Sequence, residues 1–116
     1  MSKVIWNGIA TLPQEIKVTP ESDAPVILQL SGTVYTYNQN KEIGLTVSVG
    51  GDPLISATLY ANQNGVHVAT GVALQSVRLP VKYVDGVIQP ITYTIDKMNA
   101  DTLFDAQDTV SLLQID

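Results

Sequence analysis

The sequence predicts an all-β protein, because apolar and polar residues alternate along several segments and turn-forming residues separate those segments. In agreement, no run of ten or more residues repeats apolar side chains with the 3.6-residue period of an α-helix. The chain has 116 residues, the size of one domain around one hydrophobic core. We therefore predict a single domain over residues 1–116, a two-sheet antiparallel β-sandwich of the jelly-roll type with about 8–10 short strands.

Five segments carry the alternation, and each predicts one strand with one buried face. They span residues 26–35, 42–49, 54–61, 77–81 and 91–95. The residues predicted to face the core are Val26, Leu28, Leu30 and Val34; Ile43, Leu45, Val47 and Val49; Ile55, Ala57, Leu59 and Ala61; Val77, Leu79 and Val81; and Ile91, Tyr93 and Ile95.

Turn-forming residues lie between these segments. Two glycines at 50–51 separate two strands, and the pairs Asn64-Gly65 and Asp85-Gly86 favour tight hairpins. Residues 20–25 predict an exposed loop between an N-terminal hairpin and the main sheet. Residues 98–106 predict one irregular or helical turn.

The segment 109–115 differs from the other five because it carries apolar residues on both faces. Val110 and Leu112 lie on one face, and Leu113 and Ile115 lie on the other. A strand that is buried on both sides in an antiparallel sandwich needs a second cover. Two covers fit this pattern, either another subunit or the N-terminal segment around Trp6.

The composition excludes several classes of partner. Charged residues make up only 15% of the chain and the net charge is −5. The lysines and the arginine are scattered singly, so we predict no nucleic-acid partner and no attraction to anionic membranes. Low charge also favours a surface that meets another chain. Because there is no cysteine, stability must come from the core or from oligomerisation.

No segment is apolar over the length of a signal peptide or of a membrane span. We therefore expect cytoplasmic synthesis and no membrane insertion. Release from the cell, or incorporation into a phage or secretion particle, is compatible with this expectation.

Motifs for catalysis and metal binding are sparse. The neighbours of the single histidine, His67, form no serine elbow, so we predict that the protein is not an enzyme. One histidine without cysteine does not make the usual zinc set, and we predict no cofactor. Asp101, Asp105 and Asp108 lie in one loop, where carboxylate oxygens suit Ca²⁺. The favoured interpretation is nevertheless a solvated loop whose Asp side chains cap local turns, so we predict no metal site and keep the calcium loop as the alternative.

Amphipathic side chains point instead to sugar recognition. Aromatic rings pack on the C–H face of a sugar, and amides bind its hydroxyl groups. The alternative is that Tyr is a common strand residue and Asn a common turn residue. The candidate residues form two groups, which are Tyr35 and Tyr37, and Tyr60, Asn62, Asn64 and His67.

Residues 26–35, 43–60 and 108–115 together resemble the compact jelly rolls of the tumour-necrosis-factor-like superfamily. Within it, the chain is similar to small bacterial lectins that bind fucosylated glycans between neighbouring subunits. The resemblance implies a homotrimer formed through apolar and aromatic faces. It places Tyr60 and His67 near an inter-subunit pocket that Lys97 and Asn99 of the next subunit approach. Such lectins bind the hydroxyl groups of the sugar with arginine, and the only arginine in this sequence is Arg78.

The sequence thus predicts a homo-oligomeric carbohydrate-binding module, a lectin that binds glycans reversibly and without catalysis. A second interpretation is a structural or assembly protein of a phage or secretion particle. Low charge and a short β-domain without cysteine suit that role equally well.

Overall fold

A computed structural model describes residues 2–38 and 40–115. Within these residues the protein is all-β, with antiparallel sheets and eleven strands. This count exceeds the predicted 8–10 strands because it includes three very short strands of two residues each. The strands are β1 (Ser2–Ile9), β2 (Gln14–Val18), β3 (Val26–Val34), β4 (Lys41–Val49), β5 (Asp52–Ala61), β6 (Val68–Ala69), β7 (Ala73–Val77), β8 (Tyr83–Val84), β9 (Val87–Ile88), β10 (Ile91–Lys97) and β11 (Thr109–Ile115).

The strands form two main sheets. In the first sheet, β11 lies between β1 and β3, and the other edge of β3 pairs with β7 and then β6. The second sheet has the order β2-β10-β4-β5. Because β1 pairs with β11 and β2 pairs with β10, the predicted N-terminal hairpin does not form. No helix of the described residues is both long and apolar enough to cross a membrane.

Two of the three predicted turns form hairpins, and the third does not. β4 and β5 form a hairpin whose turn holds Gly50 and Gly51 at positive φ. β8 and β9 form a separate hairpin, with Asp85 at φ 50° and Gly86 at φ 78°, as a type I′ turn requires. Asn64 and Gly65 do not form a tight hairpin. They lie in the longer connection from β5 to β6, where the Gly65 N–H donates to the Thr36 carbonyl at 2.7 Å.

Buried residues of both sheets form one hydrophobic core. The alternation predicted this core well, since most residues expected to face inward are buried and only Val26, Leu59 and Val81 are partly exposed. At Gly32 of β3, an added Cβ would lie 2.6 Å from Cδ1 of Leu45 in the other sheet. Contact between the sheets is therefore close at this point.

Tyr93 of β10 is completely buried in this core, and its hydroxyl has no hydrogen-bond partner among the residues that the structure describes. Burial raises the pKa of Tyr93 to about 12. The hydroxyl is therefore protonated at neutral pH.

The position of β1 decides how the last strand is covered. Trp6 lies opposite Leu112 and packs against the core, on the inner side of the first sheet. Leu113 and Ile115 point to the other side and remain partly exposed. The segment around Trp6 therefore does not cover them.

The register defines an outer face on each sheet, because paired residues point to the same side and alternate with core residues. The outer face of the first sheet carries Val4, Asn7, Ile9, Ile27, Gln29, Ser31, Thr33, Ala69, Leu74, Ser76, Thr109, Ser111, Leu113 and Ile115. The outer face of the second sheet carries the side chains of Glu15, Lys17, Glu42, Thr46, Ser48, Pro53, Ser56, Thr58, Tyr60, Thr92, Thr94 and Asp96.

Candidate functional site

Three loops meet at one end of the sheets and build the candidate site. Tyr35, just after β3, and Leu103 exchange backbone hydrogen bonds of 3.0 and 2.8 Å. The connection from β5 to β6 is held to the same segment by the bond between Gly65 and Thr36. These bonds bring side chains from residues 35–38, 61–67 and 98–108 together.

A buried carboxylate anchors the histidine. The side chain of Asp108 is fully buried, and its Oδ1 lies 2.8 Å from Nδ1 of His67. Its Oδ2 accepts the backbone N–H of Asp105 at 2.9 Å. Both oxygens therefore have a partner, as a buried carboxylate requires.

The second ring nitrogen of the histidine faces solvent and a second carboxylate. Nε2 of His67 lies 3.5 Å from Oδ2 of Asp105, and 30% and 44% of these two side chains are exposed. The hydrogen bond to Asp108 raises the pKa of His67. The charges of Asp108 and Asp105 act in the same direction, against desolvation.

Two tyrosines complete the site, and we call Tyr35, Tyr37, His67, Asp105 and Asp108 the His67 cluster. The Tyr35 ring lies 4.4 Å from the His67 ring and 5.6 Å from the Tyr37 ring, the latter edge to face. Desolvation, followed by the nearby Tyr37, Asp105 and Asp108, raises the pKa of Tyr35. Tyr37 is 65% exposed, so it presents a large aromatic surface to solvent.

The structure separates the three acids of the predicted calcium loop. Asp101 accepts a hydrogen bond of 2.6 Å from Nδ2 of Asn38, whereas Asp105 and Asp108 join His67. Ligand atoms of the latter three residues lie within 4.8 Å of one another. Calcium binding by the loop stays a prediction.

The other predicted residues lie outside the His67 cluster. Tyr60 lies opposite Glu42 on the outer face of the second sheet and is 65% exposed. Asn99 donates to the Glu42 carbonyl at 2.8 Å, and its Oδ1 accepts the N–H and hydroxyl of Thr102. The Asn99 side-chain amide therefore holds the loop after β10 against β4. The side chains of Asn62, Asn64 and Lys97 are exposed.

Sequence reasoning named all members of the cluster but missed how they combine. His67 and Asp108 are far apart in the chain, and only the pairing of β3 with β6 and β11 brings them into contact. Asn38 was also missed as a partner of Asp101. The sole available signal was that the only histidine and the densest group of acids both fall in loops.

No protein-family model and no curated protein matches the sequence.

Proposed function

We propose that the protein is a carbohydrate-binding module that acts as a homo-oligomer and binds glycans reversibly through the His67 cluster. The observation that carries this proposal is the exposed Tyr37 ring, which is held edge to face against Tyr35, a residue close enough to feel the charge of Asp105.

The chemistry of the cluster suits a sugar ring. The negative face of an aromatic ring attracts the weakly positive C–H groups on one side of a sugar. Asp105 accepts hydrogen bonds from hydroxyl groups, and a charged acceptor makes such bonds stronger than a neutral one does. The site is shallow and polar, so its affinity for one sugar is weak.

We also propose that the two sheets form a jelly-roll sandwich of the tumour-necrosis-factor-like type. The orders β1-β11-β3-β7 and β2-β10-β4-β5 support it, because each sheet interleaves strands from distant parts of the chain, as two nested Greek keys do. The core shared by the sheets also supports it.

The oligomer, with a trimer favoured, forms through the outer face of the first sheet. Among the described positions of this face none is charged, and Val4 and Leu74 are each 61% exposed. Large exposed apolar surface is typical of sites where proteins associate. Several weak glycan sites in one oligomer then bind a cell surface together, which multiplies the overall affinity.

A glycan array with labelled full-length protein tests the proposal. Selective binding is expected, and Tyr37→Ala should abolish it. The matched control is Tyr83→Ala, which removes a tyrosine of similar exposure from the β8–β9 hairpin. Tyr60→Ala tests the second predicted position. If Tyr60→Ala abolishes binding and Tyr37→Ala does not, the glycan site lies on the second sheet and the proposed location is wrong.

The uncharged outer face also favours a second candidate, a structural protein of a phage or secretion particle. Such a protein needs an extensive contact surface and no glycan site. It should show a stable oligomer and no array signal with folded protein. A blank array together with a concentration-independent oligomer would therefore replace the first proposal by this one.

A further inference from the structure

The hydrogen bonds of Asp108 fix which nitrogen of neutral His67 carries the proton. Both oxygens of Asp108 are acceptors, so Nδ1 of neutral His67 must hold its hydrogen to donate across the 2.8 Å contact. Nε2 then carries a lone pair. Oδ2 of Asp105, which is also an acceptor, lies 3.5 Å from this nitrogen.

Two acceptors this close repel unless a proton or a metal cation lies between them. The separation of Nε2 and Oδ2 is 3.5 Å, longer than an ordinary N–H···O hydrogen bond. Two ligands of a tetrahedral metal, each about 2.0–2.1 Å from it, are about 3.3 Å apart. The gap therefore matches the edge of a tetrahedral coordination site.

The surroundings of His67 are those of a metal ligand. Histidines that bind metals usually donate their other N–H to a carboxylate, which fixes the ring and increases its basicity. Asp108 supplies that carboxylate, and the Tyr35 ring 4.4 Å away packs beside the imidazole. Asp108 is thus a positioning residue in this site.

An imidazole nitrogen with a carboxylate oxygen selects among cations. Ca²⁺ prefers six to eight oxygen ligands, whereas Zn²⁺ and its neighbours in the first transition row bind imidazole readily. We propose that His67 Nε2 and Asp105 Oδ2 bind a divalent cation of the Zn²⁺ class, with water in the remaining coordination positions. Two protein ligands give weaker binding than a four-ligand structural site does.

Nuclear magnetic resonance of the untagged, chelator-treated full-length protein tests this site without any glycan. His67 is the only histidine, so its imidazole ¹⁵N signals need no further assignment. Added Zn²⁺ should shift the Nε2 resonance in a saturable 1:1 titration, and Ca²⁺ should not. An unchanged Nε2 resonance at millimolar Zn²⁺ would overturn the proposal.

Variants locate the ligands. Asp105→Asn should weaken Zn²⁺ binding at least tenfold, since the neutral amide is a poorer ligand. Asp85→Asn removes an equal charge at an exposed turn where φ is positive and Asn is tolerated, so its affinity should equal that of the wild type. Equal affinities of Asp105→Asn and Asp85→Asn would contradict the assignment.

Asp108→Asn tests the positioning role. It should lower the Zn²⁺ affinity about 10–100-fold and move the imidazole proton between Nδ1 and Nε2, which the ¹⁵N shifts report. Loss of stability alone would not move that proton. If Asp108→Asn fails to fold, Asp105→Asn, which changes an exposed side chain, still decides the proposal.

Discussion

The outer faces of the two sheets have the same alternation but different chemistry. The outer face of the first sheet has six Val, Ile or Leu side chains and no charge, among the residues described. The described positions on the outer face of the second sheet include no Val, Ile or Leu, and they carry Glu15, Lys17, Glu42 and Asp96. On the second face hydroxyl groups also pair across strands, as Ser56 donates to Thr46 at 3.2 Å.

The difference shows that a period of two identifies the buried side of a strand but not what covers the other side. The second face suits water, because every strand presents charged or hydroxyl groups there. The first face suits another protein surface, because burying it removes no charge from water. The two-sided pattern of β11 was the only sign of this difference in the sequence.

Placing a charge on the first face should have the largest effect. We expect Leu113→Glu to dissociate the proposed oligomer, because each copy would bring a charge into an apolar contact. The dissociation constant should rise at least 100-fold, about 3 kcal/mol, in sedimentation measurements. Thr94→Glu, on the second face, is the control and should leave the mass unchanged. Monomeric wild-type protein at micromolar concentration would refute the oligomer outright.

Replacing one glycine in each sheet by alanine tests how much space lies beside each position, Gly44 in the second sheet and Gly8 in the first. At Gly44 of β4, an added Cβ would lie 2.2 Å from the Ala57 carbonyl oxygen, and backbone does not yield easily. Gly44→Ala should therefore lower the free energy of unfolding in urea by about 2–3 kcal/mol. At Gly8 of β1 the nearest atom lies 3.5 Å away in the Trp6 side chain. Gly8→Ala should change the free energy of unfolding by at most about 0.5 kcal/mol. Equal losses for the two variants would contradict the difference in space beside these glycines.

A change of pH near neutrality should separate the contribution of the His67 cluster to stability from the contributions of the two outer faces. The pKa of His67 is raised above 6.5, so its contribution to stability is fully present below pH 6.5 and is lost as pH rises through the folded-state pKa. With chelator present, His67→Gln should therefore destabilise the protein more at about pH 6 than at about pH 8.

No titratable group lies on the described part of the first face, so the mass of the oligomer should stay constant over the same range. Urea denaturation measures the first effect, and sedimentation measures the second. A mass that changes with pH near neutrality would place His67 or another titrating group in the interface.

The smallest effect is expected on the second face. Ser56→Ala removes an exposed hydroxyl and its bond to Thr46. Stability should change by no more than about 0.5 kcal/mol, and the oligomer should be unaffected. A larger loss, measured by urea denaturation, would mean that the hydroxyl pairs of this face contribute more to stability than exposed hydroxyl groups usually do.

Much of the fold could be predicted from local patterns. The alternation in residues 42–49 identified Ile43, Leu45, Val47 and Val49 as buried, since burial of one face dictates that pattern. Asp85-Gly86 identified a hairpin because few residues adopt positive φ. The order of strands could not be predicted, since it depends on which distant edges pair. The N-terminal hairpin was wrong for that reason.

The candidate site was predictable only as a collection of residue types. Asp108 was assigned to a solvated loop, yet it is buried because His67 and the Asp105 N–H satisfy its carboxylate. Thr102 is likewise buried, where its hydroxyl accepts the N–H of Gly44. Buried polar groups depend on partners from distant segments, and no local pattern reports those partners.

The place of β11 in the first sheet sets the order in which the protein is able to fold during synthesis. Among the described strands β1 pairs only with β11, and β3 needs β11 on one side, so neither edge is closed until residues 109–115 have emerged from the ribosome. A nascent chain therefore carries two unpaired strand edges until β11 has been synthesised, which exposes it to aggregation. Dependence on chaperones during expression, and insoluble truncations that stop before Thr109, follow from this topology.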